Sequence, residues 1–262
     1  MPEMTESLSY TTPSPHWRHY SECGSTNDLA RDWAQDTEDP APDGAMVTAD
    51  YQTRGRGRRG RAWSADPGEN LLMTVVCRTE SVEWLWAAAA VAAAQVVAGC
   101  GLNPRIKWPN DILIGAGKAG GILVESVLSV DGGEALGLVG IGLNINQTGF
   151  DVDPAAPYPP TSLHAEKGVR FDVRHIAARL DTEFRNSRLL LRDYGASSLI
   201  TALRDRLAVG AWVQRGTETA RLQDVDDSGA ALVSLEDGTF AVWRTVDGNG
   251  TPSVARNARE SP

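Results

Sequence analysis

The residues best suited to chemistry lie in one stretch, residues 51–63, where five arginines alternate with three glycines. Arginine carries a permanent charge and a planar fork of N–H donors that matches phosphate or carboxylate oxygens. Glycine lets the backbone adopt positive φ and approach a ligand closely. The pattern fits three interpretations: a solvated charged loop, a nucleic-acid-binding segment rich in Arg and Gly, or a clamp for a small anion.

The charge balance of the whole chain argues against nucleic acid as the main partner. The 262 residues include 34 Asp and Glu against 25 Lys and Arg, for a net charge of −9, whereas nucleic-acid-binding proteins usually carry a basic footprint. A hydrophobic content of 42% is typical of a globular chain. The length can bury a sizeable core and fits one large domain plus a small one.

Lysine is rare in this chain, and Lys107, Lys118 and Lys167 are its only lysines. Most of this imbalance is explained by a coding preference for arginine. A lysine retained in such a background is nevertheless a candidate for a task that the broad fork of arginine does not suit.

The cysteines and histidines do not predict a metal site. Cys23, Cys77 and Cys100 lie far apart without a CxxC motif, which predicts free thiols in a reducing cytosol. The four histidines show no convincing metal-ligand spacing, and we expect His16 and His19 to be solvated in a polar leader.

The sequence predicts a disordered tail over residues 1–17 and no membrane-spanning segment. Ser, Thr and Pro dominate the start of the chain, which lacks the basic and apolar regions of a signal peptide. The alanine-rich run from Trp84 to Val97 is shorter than the roughly 20 residues of a membrane span. We therefore expect a buried helix there.

Several elements must position the Arg/Gly loop, residues 53–63. Ser25 to Asp28 precede an apolar-periodic segment and predict the start of a helix, and capping alone would explain their residue types. A strand predicted at 45–51 leads directly into the loop, and loops at strand ends often carry function. Further strands are predicted at residues 70–78, on both sides of a hinge at Pro109-Asn110, at 118–127 and at 136–146, further helices at 83–100, 172–194 and 197–207, and an irregular Pro-rich segment at 147–170.

Glycines interrupt two of the predicted strands, at Gly120-Gly121 and at Gly137, Gly140 and Gly142. Glycine inside a strand often marks the close approach of a ligand or of another backbone. Two such strands beside polar residues indicate a sheet face that accepts a flat molecule. Bulges without a ligand would give the same pattern.

The composition changes from Ala211 onward. Short apolar segments alternate with turn signals, which predicts a small all-β barrel of SH3-like size. The predicted organisation is a tail over residues 1–17, a catalytic domain over 18–207 and a C-terminal β domain over 208–262.

Three blocks, residues 55–61, 107–111 and 118–125, resemble the signature blocks of biotin protein ligases in the same order. The Ser25-Thr26-Asn27 segment, Gln52 and the strand around 140–144 fit the same family, and the resemblance covers roughly residues 18–256. A single GRGR motif is weak evidence for a family, but three blocks in the same order are specific evidence for one. The resemblance implies an α+β fold: a class II synthetase-like mixed sheet flanked by helices, with a small C-terminal SH3-like β-barrel domain.

The resemblance also implies a two-step reaction that uses ATP and Mg²⁺. The carboxylate of biotin attacks the α-phosphate of ATP to give biotinyl-5′-AMP, which a lysine on the biotin carboxyl carrier domain of an acyl-CoA or pyruvate carboxylase then attacks. We expect a cytoplasmic enzyme with neither DNA nor a membrane as partner. No winged-helix segment precedes residue 20, so the repressor role of some relatives is not expected.

The resemblance assigns roles residue by residue, and it leaves metal ligands unassigned. The predicted catalytic residues are Lys118 and Arg58. The predicted biotin-binding residues are Ser25, Thr26, Asn27, Gln52, Gly55, Arg56, Gly57, Arg58, Lys118, Gly120, Gly121 and Gly140. The predicted ATP-binding residues are Arg58, Arg59, Arg61, Trp63, Lys107, Asn110, Asp111 and Asn144. Core packing is an equal alternative for Trp63, and a structural ion pair is the alternative for Lys107 and Asp111.

Two other functions stay open at this point. A lipoate or octanoate ligase shares the general fold but needs a narrow apolar tunnel instead of polar groups for a urea ring. A nucleic-acid-binding protein would use the Arg/Gly loop and the β barrel, but the net charge argues against this function.

Arg54 stands where relatives more often have a small residue. This departure is expected to affect the mobility of the loop and not the reaction class.

Overall fold

The computed structural model describes residues 16–79, 81–127, 135–152 and 156–244. Most of the predicted tail, the Asp153-Pro154 pair and the end of the predicted C-terminal domain lie outside these residues.

A seven-stranded mixed sheet forms the centre of the fold, with the strand order β1-β2-β3-β7-β6-β5-β4. Strands β1 and β2 pair in parallel, and every other neighbouring pair is antiparallel. The strands are β1 Trp17–Cys23, β2 Met46–Gln52, β3 Leu71–Arg78, β4 Pro104–Lys107, β5 Asp111–Ile114, β6 Gly117–Val127 and β7 Leu136–Leu143. The predicted mixed sheet flanked by helices is confirmed.

Helices cover both faces of this sheet. Alternation along β3 separates the two layers, since Val75 packs in the large cluster with α2, α4 and α5 while Val76 packs in the smaller cluster with α1. The helices are α1 Thr26–Ala34, α2 Leu85–Gly99, α3 Leu163–Lys167, α4 Val173–Tyr194 and α5 Ala196–Arg204.

The alanine-rich helix lies in the core, as the sequence predicts. Together with a preceding 3₁₀ turn, the helical stretch Val82–Gly99 is 18 residues long, and by length and composition alone it would suffice to cross a bilayer. The expectation that this segment is too short is therefore not upheld. Its packing is that of a core helix, because 67% of the stretch is buried inside the fold.

A four-stranded antiparallel sheet follows the helices, with the order β11-β10-β9-β8. Its strands are β8 Trp212–Arg215, β9 Glu218–Val225, β10 Ala231–Ser234 and β11 Phe240–Trp243. A buried hydrogen bond from Trp108 Nε1 to the Gly229 carbonyl, 3.0 Å long, joins it to the segment between β4 and β5. The predicted strands are present, while closure into a barrel and the domain boundaries stay predictions.

Three local predictions need correction. Trp17 and His19 belong to β1 and not to a tail or leader; His19 is exposed as expected, but its ring contacts Thr48 at 2.9 Å and Asp50 at 3.4 Å. The polar residues of this edge strand lie on both of its faces, so its sequence shows no clear alternation. The short helix α3 interrupts the segment predicted to be irregular, with a Ser162 cap at its start and left-handed Gly168 at its end. Strand β7 ends at Leu143, before the predicted end.

Candidate active site

A cavity of about 140 Å³ lies between the start of α1, the Arg/Gly loop and the glycine-containing strands β6 and β7. Its lining includes many of the predicted site residues: Ser25, Thr26, Asn27, Gln52, Arg56, Gly57, Arg58, Arg61, Trp63, Asn110, Lys118, Gly121 and Gly140. Six other predicted residues are not in the lining: Gly55, Arg59, Lys107, Asp111, Gly120 and Asn144.

The first turn of α1 supplies buried polar groups to this cavity. Ser25 precedes the helix, yet its side chain makes no capping hydrogen bond, and it is only 4% exposed. The side chain of Gln52 on β2 takes that role, because its Oε1 accepts the Thr26 backbone N–H at 2.7 Å. Capping therefore does not explain the Ser25 hydroxyl.

Asn27 presents an unsatisfied polar group at the cavity. It is 3% exposed, and among the described residues no group hydrogen-bonds to its Nδ2. Its Oδ1 lies 2.6 Å from the hydroxyl of Thr74 on β3. Buried polar atoms are almost always hydrogen-bonded in folded proteins, so such an atom indicates a missing partner, such as a ligand.

The Arg/Gly loop folds back on itself at the mouth of the cavity. Gly57 N–H donates to the Arg61 carbonyl at 2.7 Å, and Trp63 N–H donates to the Gly55 carbonyl at 3.0 Å. A Cβ on Gly55 would clash with the Trp63 carbonyl, so glycine is required for this close backbone approach. The loop is thus a defined turn and not a fully solvated segment.

Two arginines of the loop are held by ion pairs or hydrogen bonds at the cavity. Arg56 donates from both Nη atoms to Asp28, at 2.7 and 2.8 Å, and lies 3.6 Å from Glu125. These hydrogen bonds hold the pKa of Asp28 below its usual range and raise the pKa of Arg56. Arg58 donates to Asn110 Oδ1 at 3.2 Å.

Arg59 lies on the other side of the loop, away from the cavity. It has a left-handed backbone with φ of 58°, and its guanidinium donates to the Gln214 carbonyl of β8 at 3.3 Å. The neighbouring arginines 58 and 59 therefore contact different parts of the molecule.

The glycines of β7 make room for side chains of the site itself. A Cβ on Gly140 would lie 2.6 Å from Asn27 Oδ1, and a Cβ on Gly142 would lie 2.5 Å from the Trp63 ring. Gly120 instead faces Leu143 and Ile112 in the core. The glycine pattern thus marks close approach, as predicted, but the approaching groups in the structure are protein side chains.

Lys118 reaches the cavity through a buried charge cluster. Asp111, with 8% of its side chain exposed, contacts Lys107 at 2.7 Å and Lys118 at 2.6 Å. Burial alone would raise the pKa of Asp111, but the two lysines outweigh it and hold that pKa below its usual range. The ion pair weighed for Lys107 and Asp111 is present, while Asn144, also outside the cavity, donates to the Thr161 carbonyl at 2.9 Å.

Comparison with known proteins gives the family. The biotin/lipoate A/B protein ligase family matches residues 22–146. The chain is 33% identical over 219 residues to the biotin–[acetyl-CoA-carboxylase] ligase of Mycobacterium tuberculosis, covering 76% of this chain and 77% of that relative. The chain belongs to the biotin protein ligase family.

A second relative and one solved structure are also similar to this chain. The bifunctional ligase/repressor BirA of Bacillus spizizenii is 31% identical over 220 residues, which cover 78% of this chain but only 65% of that relative. The structure of biotin protein ligase from Aquifex aeolicus in complex with biotin and ATP has the same fold, with a TM-score of 0.70 at 22% identity, over 87% of this chain and 99% of that one.

Sequence reasoning missed several residues of this family member's site. Asp28 and Glu125 hold Arg56, and Thr74 contacts the polar residues of α1. Thr74 had a signal, since it is a lone hydroxyl in the apolar run of β3. Asp28 ends the Ser25 to Asp28 cluster and Glu125 ends the third block, but nothing local in the sequence indicates that both contact Arg56.

The described residues do not fit a protein-held Mg²⁺. Mg²⁺ prefers oxygen ligands, carboxylates above all, yet the carboxylates that contact cavity-lining side chains, those of Asp28, Asp111 and Glu125, are all paired with Arg or Lys. Within the described parts of the chain, no group of three or more His, Cys, Asp or Glu side chains is placed to hold a metal ion.

Proposed function

We propose that this chain is an ATP-dependent ligase that activates biotin as biotinyl-5′-AMP and transfers the biotinyl group to a specific lysine. The acceptor is the biotin carboxyl carrier domain of an acyl-CoA carboxylase or of pyruvate carboxylase. Support comes from a relative that is a biotin–[acetyl-CoA-carboxylase] ligase and from a protein of the same fold that binds biotin and ATP.

The order of groups along β7 carries this proposal. The Asn27 amide lies over Gly140, and the Trp63 ring lies over Gly142, with Lys118 Nζ 5.8 Å from the ring centre. Residues two apart in a strand are about 7 Å apart. One cavity therefore offers hydrogen-bonding groups for a urea ring and, a short distance along, a cation for a carboxylate, as biotin requires.

In the first step, a carboxylate oxygen of biotin bonds to the α-phosphorus of ATP while the bond to the bridging oxygen breaks and pyrophosphate leaves. Two anions must meet, so fixed positive charge lowers the barrier without reorganisation. Lys118 suits this task, because its compact ammonium can sit between carboxylate and phosphate. Asp111 holds that ammonium in place behind the cavity.

In the second step, a neutral lysine amine of the acceptor attacks the acyl carbon, AMP leaves with the electrons of the broken C–O bond, and the amine proton passes to solvent. The mixed anhydride must be kept from water until then. In this proposal Arg58 and the Arg/Gly loop retain it, which is supported by their position in the cavity lining.

The buried polar groups favour biotin over lipoate as the acid. Ser25 and Asn27 are both less than 5% exposed and line the cavity, and an apolar acid would leave the unpartnered end of the Asn27 amide without a hydrogen bond, at a cost of about 1–3 kcal/mol. The dithiolane ring of lipoate has no N–H or carbonyl to offer them.

Three finer points belong to the same proposal. Mg²⁺ accompanies ATP as its phosphate complex. A cytoplasmic location is supported by Cys23, Cys77 and Cys100, all free thiols. Residues 18–207 form the catalytic domain and residues 208–262 a C-terminal domain, which the separate four-stranded sheet supports.

Biotin-dependent exchange of label between ATP and pyrophosphate tests this function, with lipoate and octanoate run alongside. We expect exchange with biotin and none with the other two acids. Exchange with lipoate alone would retain the fold and overturn the substrate. No exchange with any acid would overturn the adenylation step itself.

A further inference from the structure

Thr74 lies at the centre of a buried polar chain that links three site residues. It is fully buried in β3, and its hydroxyl oxygen lies 2.8 Å from Thr26 Oγ1 and 2.6 Å from Asn27 Oδ1. Thr26 Oγ1 lies 3.0 Å from Gln52 Oε1, which also accepts the Thr26 backbone N–H.

The three side-chain contacts in this chain need three protons, but the two hydroxyls bring only two. Gln52 Oε1 must remain an acceptor, because a backbone N–H donates to it. Only the side-chain amide of Asn27 can supply the third proton, by directing its NH₂ toward Thr74. The oxygen and the nitrogen of a side-chain amide have nearly the same shape and are assigned from their hydrogen-bond partners. The flipped Asn27 amide therefore fits the same space.

With that orientation each of the three contacts has one donor and one acceptor, and the donors all point the same way along the chain of side chains. Asn27 donates to Thr74, Thr74 donates to Thr26, and Thr26 donates to Gln52. The carbonyl oxygen of Asn27 then occupies the end of the amide that otherwise has no partner among the described residues. That end becomes a buried acceptor beside the cavity.

We propose that Thr74 is a positioning residue, which turns the Asn27 amide so that its carbonyl oxygen accepts an N–H of a cyclic urea. This inference rests on the proposed function, because biotin has such N–H groups and lipoate and octanoate have none. Thr74 itself does not line the cavity. It acts through Asn27, and it discriminates between acids without touching them.

A pair of variants at this position separates the hydroxyl from packing. Thr74→Val keeps the branched shape and removes the hydroxyl that links Asn27 to Thr26. Thr74→Ser keeps that hydroxyl and removes a methyl group. Thr48→Val is the matched control, because Thr48 is a buried threonine of the neighbouring strand whose hydroxyl contacts Trp17 and His19 and not the cavity.

The test is the dissociation constant for biotin measured by calorimetry, with KM for ATP in the exchange reaction as the second readout. We expect Thr74→Val to weaken biotin binding roughly tenfold, as for one lost oriented hydrogen bond. Its KM for ATP stays unchanged, and Thr74→Ser and Thr48→Val bind biotin within about threefold of the parent chain.

Biotin binding by Thr74→Val equal to that of the parent would overturn the inference alone, and so would equal weakening in the Val and Ser variants, which would indicate packing. A parent chain that binds no biotin would overturn the proposed function together with the inference. Neutron diffraction of the biotin complex provides a test without a variant. Deuterons of the Asn27 amide on the Thr74 side support the inference, and deuterons on the biotin side contradict it.

Discussion

Neighbouring arginines of the Arg/Gly loop differ in what they contact. Arg58 lines the cavity and donates to Asn110, whereas Arg59 is exposed and donates to the backbone of β8. Sequence alone gives these residues the same charge and the same flanking glycines. Their different directions come from the turn itself, in which Arg59 takes the left-handed conformation.

This difference supplies a matched pair of variants. We expect Arg58→Gly to release biotinyl-5′-AMP about tenfold faster, because it removes one charged hydrogen-bond donor, worth about 1.5–3 kcal/mol, from the cavity mouth. We expect Arg59→Gly to retain the adenylate, since its side chain points away and glycine tolerates φ of 58°. The measurement is biotin label on bystander proteins mixed with each variant. Equal release by the two variants would contradict the assignment of Arg58.

Strands β4, β5 and β6 act together to fix the charge cluster. Lys107 is the last residue of β4, Asp111 the first of β5, and Lys118 lies near the start of β6. Antiparallel pairing places Lys107 opposite Asp111 and brings Lys118 alongside. Asp111 thereby pairs with two lysines at a largely buried position. The removal of such a carboxylate leaves two positive charges without a counter-ion.

Asp111→Asn is therefore expected to lower the free energy of unfolding by about 3–5 kcal/mol at pH 7. The pKa of Asp111 in the fold lies below its unfolded value of roughly 3.9. The stabilisation from its charge is present above that unfolded value and is lost as the pH falls through the lower folded pKa.

Urea unfolding of the parent and the Asn variant across pH 2–7 checks this expectation. We expect the difference between the two chains to be constant above about pH 5 and to shrink below about pH 4. A difference that grows on acidification would contradict the sign of the pKa shift.

How far the sequence predicts these elements depends on the distance over which each signal acts. The alternation in β2, the apolar run of β3 and the cap-like residues before α1 are local signals, and they predict those elements correctly. Strand β1 is not predicted because its polar residues lie on both faces and its partner β2 is distant along the chain.

The sequence predicts which residues belong to the candidate site better than it predicts how those residues are arranged. The three blocks supply 9 of the 20 residues that line the cavity, and the Ser25-Thr26-Asn27 segment, Gln52 and the strand around 140–144 supply further ones. The pairing of Arg56 with Asp28, and of Thr74 with Asn27, joins residues 28 and 47 positions apart. Such contacts depend on how α1 packs against the loop and the sheet, and no local sequence pattern gives that packing.

At the scale of the whole molecule, the region of the four-stranded sheet is hydrogen-bonded to two of the sequence motifs that supply the site. Trp108, a residue of the second signature block, is 5% exposed and donates to the Gly229 carbonyl between β9 and β10. Arg59 of the Arg/Gly loop reaches β8. Two of the sequence motifs that supply cavity residues thus also contact the C-terminal part of the chain.

The complete reaction, with an acceptor protein present, is the most direct test of whether this chain transfers biotin to a protein lysine. The purified chain would be incubated with ATP, Mg²⁺, biotin and the biotin carboxyl carrier domain of an acetyl-CoA carboxylase, and the acceptor weighed by intact-mass spectrometry. We expect the addition of one biotinyl group, dependent on ATP and absent when the target lysine of the acceptor is replaced by arginine. An acceptor of unchanged mass, or one that gains a lipoyl group instead when lipoate is also supplied, would contradict it.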